Sequence, residues 1–211
     1  MTILPKTLLQ IAGAPQHASA LDRSALVLID PQMEYVTGAL PLDGIDKAVA
    51  EAAVLLDIAR KHGMPVFHVI HHGRAGGPVF DPEGDFAGII PALSPASGET
   101  VVTKSLPNCF AGTNLHSLIQ NTGRKELVFV GFATHMCLSA TVRAALDLGY
   151  RSTVIAGATA TRDLPNALDG SIVPAAQIQQ AELSALADRF AVVVPDGSTF
   201  LARQPAAKRV V

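Results

Sequence analysis

Short runs of aliphatic and β-branched residues alternate along the chain with longer stretches in which apolar positions recur at helical spacing. The runs are ALVLID (25–30), PVFHVI (65–70), TVVT (100–103), ELVFVG (126–131), STVIAG (152–157) and AVVVP (191–195). Unbroken apolarity over such lengths suits strands buried on both faces, as in a parallel sheet. Between the first two, Ile45, Ala48, Val49, Ala52, Leu55, Leu56 and Ala59 fall on one face of a helix, with Asp43 as N-cap and Gly63 and Pro65 ending it. Further helices are expected near 112–122, 136–148 and 175–188. Strand and helix in alternation, joined by right-handed crossovers, predict the α/β class: a three-layer α/β/α sandwich around a mostly parallel, Rossmann-like sheet of about six strands.

Residues 71–99, HHGRAGGPVFDPEGDFAGIIPALSPASGE, interrupt this rhythm. A connection so long and so rich in Gly and Pro predicts a lid, an interface or a binding loop. GRAGG (73–77) within it lacks the Lys-Ser/Thr that would follow in a phosphate cradle, and reads as a hinge.

A length of 211 residues is enough for one sizeable core. A single domain over 1–211 is therefore expected, with its core at about 24–195, an N-terminal arm at 1–20 and a C-terminal tail at 200–211. Apolar residues make up 49%, charged residues 16%, and the formal charge is −2, which fits a well-buried enzyme or binding domain and argues against a nucleic-acid partner. Lys208 and Arg209, the one basic excess, stand in the tail. Without a signal-peptide pattern or an apolar run of about 18 residues, the expectation is a soluble cytoplasmic protein with no membrane partner. In that compartment the thiols of Cys109 and Cys137 stay reduced, and each is either a packing residue or a reagent.

Ligands of open parallel sheets bind beyond the carboxyl ends of the strands. Asp30 closes the first strand, Lys104 the third, and Cys137 begins the helix after the fourth. With Thr134 as N-cap, the helix dipole and Lys104 are expected to lower the Cys137 pKa, while Asp30 is placed to take the thiol proton. Singly, each residue has a plain structural reading: a core filler, a turn residue, a solvated lysine. Their common edge is what points to nucleophilic chemistry.

Three segments then show a resemblance: LVLIDPQMEY, KSLPNCFAGTNL and VGFATHMC. Together they are similar to the isochorismatase-like cysteine hydrolases, which include nicotinamidases and N-carbamoylsarcosine and ureidoacrylate-type amidohydrolases, over about 24–195. The resemblance implies a catalytic triad of Asp30, Lys104 and Cys137. It also implies a cis peptide at Phe132–Ala133, and an oxyanion hole from the N–H groups of Ala133 and Cys137. Substrate contacts are implied at Gln32, Tyr35, His71, Asn108, Phe110 and Thr134. The implied reaction cleaves a C–N bond of a small amide, carbamoyl or ureido substrate through a cysteine thioester, with no metal or other cofactor and in a homo-oligomer, dimer or tetramer.

Departures from the family pattern matter as well. The Asp-x-His pair of nicotinamidases is missing, although His71 and His72 leave a metal site with Asp81 or Asp85 open. Enzymes that hydrolyse isochorismate, a vinyl ether, typically lack the cysteine. Two alternatives therefore stand: vinyl ether hydrolysis with Asp30 as acid, and a binding module that retained the fold. Arg162, just past the fifth strand, is either a substrate-carboxylate contact or half of a structural ion pair, and Cys109 reads as a packing residue.

Overall fold

In the computed structural model, which describes residues 4–202, six strands form one sheet: β1 (Ser24–Ile29), β2 (Val66–His71), β3 (Thr100–Lys104), β4 (Glu126–Phe132), β5 (Arg151–Ala160) and β8 (Val192–Val194). Their order is β3-β2-β1-β4-β5-β8, and every pairing is parallel. Lys208 and Arg209 lie outside the described residues. The direction of winding reverses between β1 and β4, so the crevice where such sheets bind ligands opens between the ends of these two strands.

Alternation along each strand makes the three layers. Leu26 and Leu28 of β1, with Val128 and Val130 of β4, pack against Ala52, Leu55 and Leu56 of α2 (Ile45–Lys61) and Phe200 of α6 (Gly197–Ala202). Ala25, Val27 and Ile29, with Leu127 and Phe129, face the other way. There they meet Leu115 and Ile119 of α3 (Leu115–Asn121), Val142 and Ala145 of α4 (Ser139–Asp147), and Leu186 of α5 (Ala175–Arg189).

Several local expectations are corrected. Asp43 does not cap α2; the N-cap is Gly44, in the left-handed region at φ 68°, and no side chain caps that end. Helix α4 begins only at Ser139, because Thr134–Leu138 forms a π turn whose N-cap is Ala133. Thr134 instead donates its hydroxyl to the Ala160 carbonyl (3.0 Å) and ties the end of β4 to the end of β5. A short helix α1 (Leu8–Ile11) and a hairpin of β6 (Leu164–Pro165) and β7 (Ile172–Val173) carry too few residues for a periodic signal. The end of the N-terminal arm is core: Ala18 and Ser19 are fully buried, and the Ser19 N–H donates to Thr153 Oγ1 (2.7 Å).

Candidate active site

At the end of β1 the backbone of Asp30 enters the left-handed region (φ 46°), one that aspartate tolerates better than most residues. At the neighbouring end of β4, a Cβ on Gly131 (φ 116°) would lie 2.1 Å from the Ile29 carbonyl oxygen, so only glycine lets the two strands approach here. The next peptide bond, Phe132–Ala133, is cis. These two strand ends bring Asp30 to Cys137.

Lys104 comes from β3, two strands away from β1, with β2 between them. Its stem crosses the end of β2, and the ammonium Nζ sits 2.9 Å from Asp30 Oδ2, 3.3 Å from Cys137 Sγ and 3.0 Å from His71 Nδ1. An ammonium has three hydrogens and no lone pair. All three are therefore donated, and His71 must carry its ring proton on Nε2. One carboxylate oxygen of Asp30, one ring nitrogen of His71 and the Cys137 sulfur lie within 4.8 Å of one another. Lys104 supplies the positive charge at that meeting point. Asp81 and Asp85 do not join a cluster with His71 and His72 among the described residues, so the metal arrangement left open above is not formed there.

Asp30, Lys104 and Cys137 are 0%, 2% and 5% exposed. Burial is the largest influence on all three. It pushes the Asp30 carboxyl up, with Lys104 pulling it back, and pushes the Cys137 thiol up with help from the Asp30 charge, against Lys104. Burial alone would lower Lys104, but the charges of Asp30 and Cys137 outweigh it and hold the ammonium protonated. The lowered thiol pKa expected from a helix start and a nearby lysine is thus corrected: burial and the Asp30 charge raise it, and the resting group is a thiol beside the Asp30 carboxylate. Asp30 Oδ1 is buried without a hydrogen-bond partner among the described residues. It is a free acceptor beside a proton donor.

The other predicted residues separate into those at the site and those turned from it. Tyr35 is buried and packs edge-on against Phe132 (6.0 Å) and Phe80 (5.2 Å). Its hydroxyl faces the Ala133 backbone N–H, and burial, Asp30 and Cys137 raise its pKa. His71 is half-buried and held to about 4 by burial, by Lys104 and by His72, so the ring is neutral near pH 7. Gln32 adjoins the site, but its amide is taken up by backbone: Oε1 accepts from the His71 N–H (2.7 Å), and Nε2 donates to the carbonyls of His71 (2.9 Å) and Ala87 (2.8 Å). Phe110 turns away, stacked at 6.1 Å on Tyr150, which precedes β5 at the opposite edge of the sheet. Asn108 Oδ1 accepts from the Phe110 N–H (2.9 Å) and shapes that turn. Arg162 forms no ion pair among the described residues and donates to the Asp163 carbonyl (3.2 Å). Cys109 is fully buried, its N–H bonded to Thr141 Oγ1 (3.0 Å), and its thiol is pushed up to about 12 by burial and the Asp30 charge.

Phe80 is the participant that the sequence did not reveal. Within the long 71–99 connection it adopts φ 51°, is buried, and lies edge-on to both Tyr35 and His71 (5.0 Å), roofing the site. Glu34 holds it there: one carboxylate oxygen accepts from the Phe80 N–H (2.9 Å) and the other from the Ala39 N–H (2.6 Å). Nothing in local sequence marks a phenylalanine in a Gly-rich loop as a roof.

Comparison with known proteins matches residues 24–195 to the Isochorismatase domain. A crystal structure described as an isochorismatase from Pseudomonas putida KT2440 is 45% identical with a TM-score of 0.87, covering 92% of this chain and 99% of that one. The secreted isochorismatase effector Isc1 of Verticillium dahliae is 36% identical over 182 residues, 86% of this chain and 93% of Isc1. Maleamate amidohydrolase of P. putida is 32% identical over 149 residues, 63% of this chain and 70% of that enzyme. With a parallel sheet, a buried Asp–Lys–Cys cluster at its switch point and matches of this extent, the chain belongs to the isochorismatase family of hydrolases.

Proposed function

We propose that the protein is a cysteine hydrolase that cleaves the C–N bond of a small amide, carbamoyl or ureido compound. The observation that carries this reading is the Lys104 ammonium standing within 3.3 Å of both the Cys137 sulfur and the Asp30 carboxylate, all three side chains being buried. Asp30 accepts the thiol proton, and the sulfur, its charge stabilised by Lys104, attacks the substrate carbonyl carbon. The carbonyl electrons move onto oxygen, which the N–H groups of Ala133 and Cys137 receive. Collapse re-forms the carbonyl and breaks the C–N bond as Asp30 returns its proton to the departing nitrogen. Water then attacks the thioester while Asp30 takes one of its protons, and the acid and the free sulfur are released with that proton returned to sulfur.

An amidohydrolase among the relatives supports the amide class. The raised Asp30 pKa supports a second reading, in which a protonated Asp30 acts as acid on a vinyl ether and Cys137 stands by; relatives described as isochorismatases point the same way. One variant separates the two. In a screen of small amides, carbamoyl and ureido compounds for released ammonia or amine, alongside a vinyl ether substrate, Cys137→Ala is expected to lose about 10³-fold or more of amide hydrolysis. Vinyl ether hydrolysis that survives Cys137→Ala, with no amide turned over by the wild type, would establish the second reading instead.

A further inference from the structure

We propose that His71 is a positioning residue that sets the orientation of the Lys104 ammonium, so that its remaining hydrogens are aimed at Asp30 and Cys137. The inference rests on the nucleophile reading of Cys137 and adds a fourth member to the working group.

Register explains how it acts. His71 pairs directly with Lys104 across β2 and β3, and β2 separates β3 from β1. On its way to Asp30 the lysine stem must pass His71, whose Nδ1 accepts one ammonium hydrogen at 3.0 Å. A lysine has a flexible four-carbon stem, and its ammonium rotates freely unless each hydrogen has an acceptor. With two acceptors, the group can swing toward the carboxylate and away from the sulfur. A third fixes it.

The third acceptor is neutral, and that matters. A carboxylate there would compete with Asp30 for the ammonium and cancel the charge that must support the sulfur anion, whereas imidazole holds the lysine without adding charge. His71 is itself held by the Gln32 amide, which pairs with its backbone N–H and C=O like an adjacent strand, and by the Phe80 edge. Facing the ring are Lys104 from β3, Asp30 from β1, Cys137 from the π turn and, beside it, His72. Burial, then the charges of Lys104 and His72, disfavour a second ring proton, so Nδ1 keeps its lone pair through the neutral range.

The test needs no substrate. Cys137 alkylation by iodoacetamide is followed by peptide mass spectrometry between pH 7.5 and 9.5, with Cys109 as internal control, in wild type, Lys104→Met, His71→Leu, His71→Asn and His71→Gln. Asparagine presents its Oδ1 near the place of Nδ1; glutamine carries its acceptor one bond too far. The expected result is at least a tenfold slower reaction in His71→Leu, recovery to within threefold of wild type in His71→Asn, and no recovery in His71→Gln. A role confined to packing predicts the reverse sign, because loosening Phe80 would admit reagent faster. Unchanged or faster alkylation in His71→Leu, or equal rates in Asn and Gln variants, overturns the proposal, and the Asn–Gln comparison decides it if His71→Leu fails to fold. Dependence on Lys104 without dependence on His71 overturns this inference alone. Equal rates in wild type and Lys104→Met overturn the nucleophile reading and this inference with it.

Discussion

Asp30 acts on Cys137 in two opposite ways. Its negative charge raises the thiol pKa, yet in the proposed reaction its carboxylate receives the thiol proton. The two effects separate in Asp30→Asn, which removes the charge but preserves the shape. That variant is expected to alkylate faster at Cys137 than wild type, since Lys104 then acts unopposed, while substrate hydrolysis falls by about 10²–10⁴-fold for want of a proton carrier. Faster alkylation with full turnover, or slower alkylation, would contradict this division of roles. Asp30, Lys104 and Cys137 were all legible in sequence as strand-end residues; the direction of the thiol pKa was not. It depends on how completely the pocket is sealed, and local sequence does not encode burial by a distant loop.

Among the elements, the 71–99 connection shows how a segment without regular structure becomes a fixed wall. Buried side chains from the end of β1 stand in for missing strand partners: Gln32 bonds the backbone at His71 and Ala87, and Glu34 bonds the backbone at Phe80. Gly38 is needed for this, because a Cβ there would lie 2.6 Å from the Glu34 Cα. Glu34→Ala leaves the buried N–H of Phe80 without its acceptor, a loss of about 1–3 kcal/mol, while the N–H of the exposed Ala39 can turn to solvent. It is expected to lower the urea midpoint and to speed proteolytic cleavage within 73–88, with the sheet intact by circular dichroism. Unaltered cleavage would show that Phe80 is held by its ring contacts alone. Here the composition foretold an irregular loop, and nothing in it foretold the two clamps.

Across the whole molecule, a second polar network, buried at His68 and open to solvent at Arg60, links the sheet to α2 away from the site. His68, fully buried in β2, meets Glu99 Oε2 at 2.8 Å, and Glu99 is also bound by Arg60 of α2 at 2.8 Å and by the Ala96 N–H. Burial holds His68 below its ordinary pKa; Glu99 falls to about 2, because its bonds to Arg60, Ala96 and His68 outweigh burial. A histidine with a lowered folded pKa binds fewer protons folded than unfolded, so stability declines as pH falls below about 6.5. A carboxylate with a lowered folded pKa contributes stability that is lost as pH falls from about 4.5 to about 2. The expected outcome is a Tm that drops below pH 6.5 and again below pH 4.5, with the second drop reduced in Glu99→Gln. A Tm flat from pH 7 to 4 would exclude His68 from this role. No helix among the described residues is long and apolar enough to cross a membrane, and one relative is described as secreted.

What the chain determined by itself was whatever depends on near neighbours. Apolar runs and helical spacing placed the six strands and the four longer helices, because propensity and burial pattern act within a window of a few residues. The motifs placed Asp30, Lys104 and Cys137 on one edge, since strand ends are local features. Tertiary structure decided the rest. Phe110 faces the far edge because its ring finds Tyr150 and His116 there. Thr134 ties two strands rather than capping a helix because the π turn over Thr134–Leu138 takes the cap position at Ala133 and the Ala160 carbonyl lies within reach. His71 reaches Lys104 because parallel register sets them side by side, and Phe80 covers them because Glu34, 46 residues earlier, holds its backbone. Such contacts join residues far apart in sequence, and their energies exist only once the sheet has brought those residues together.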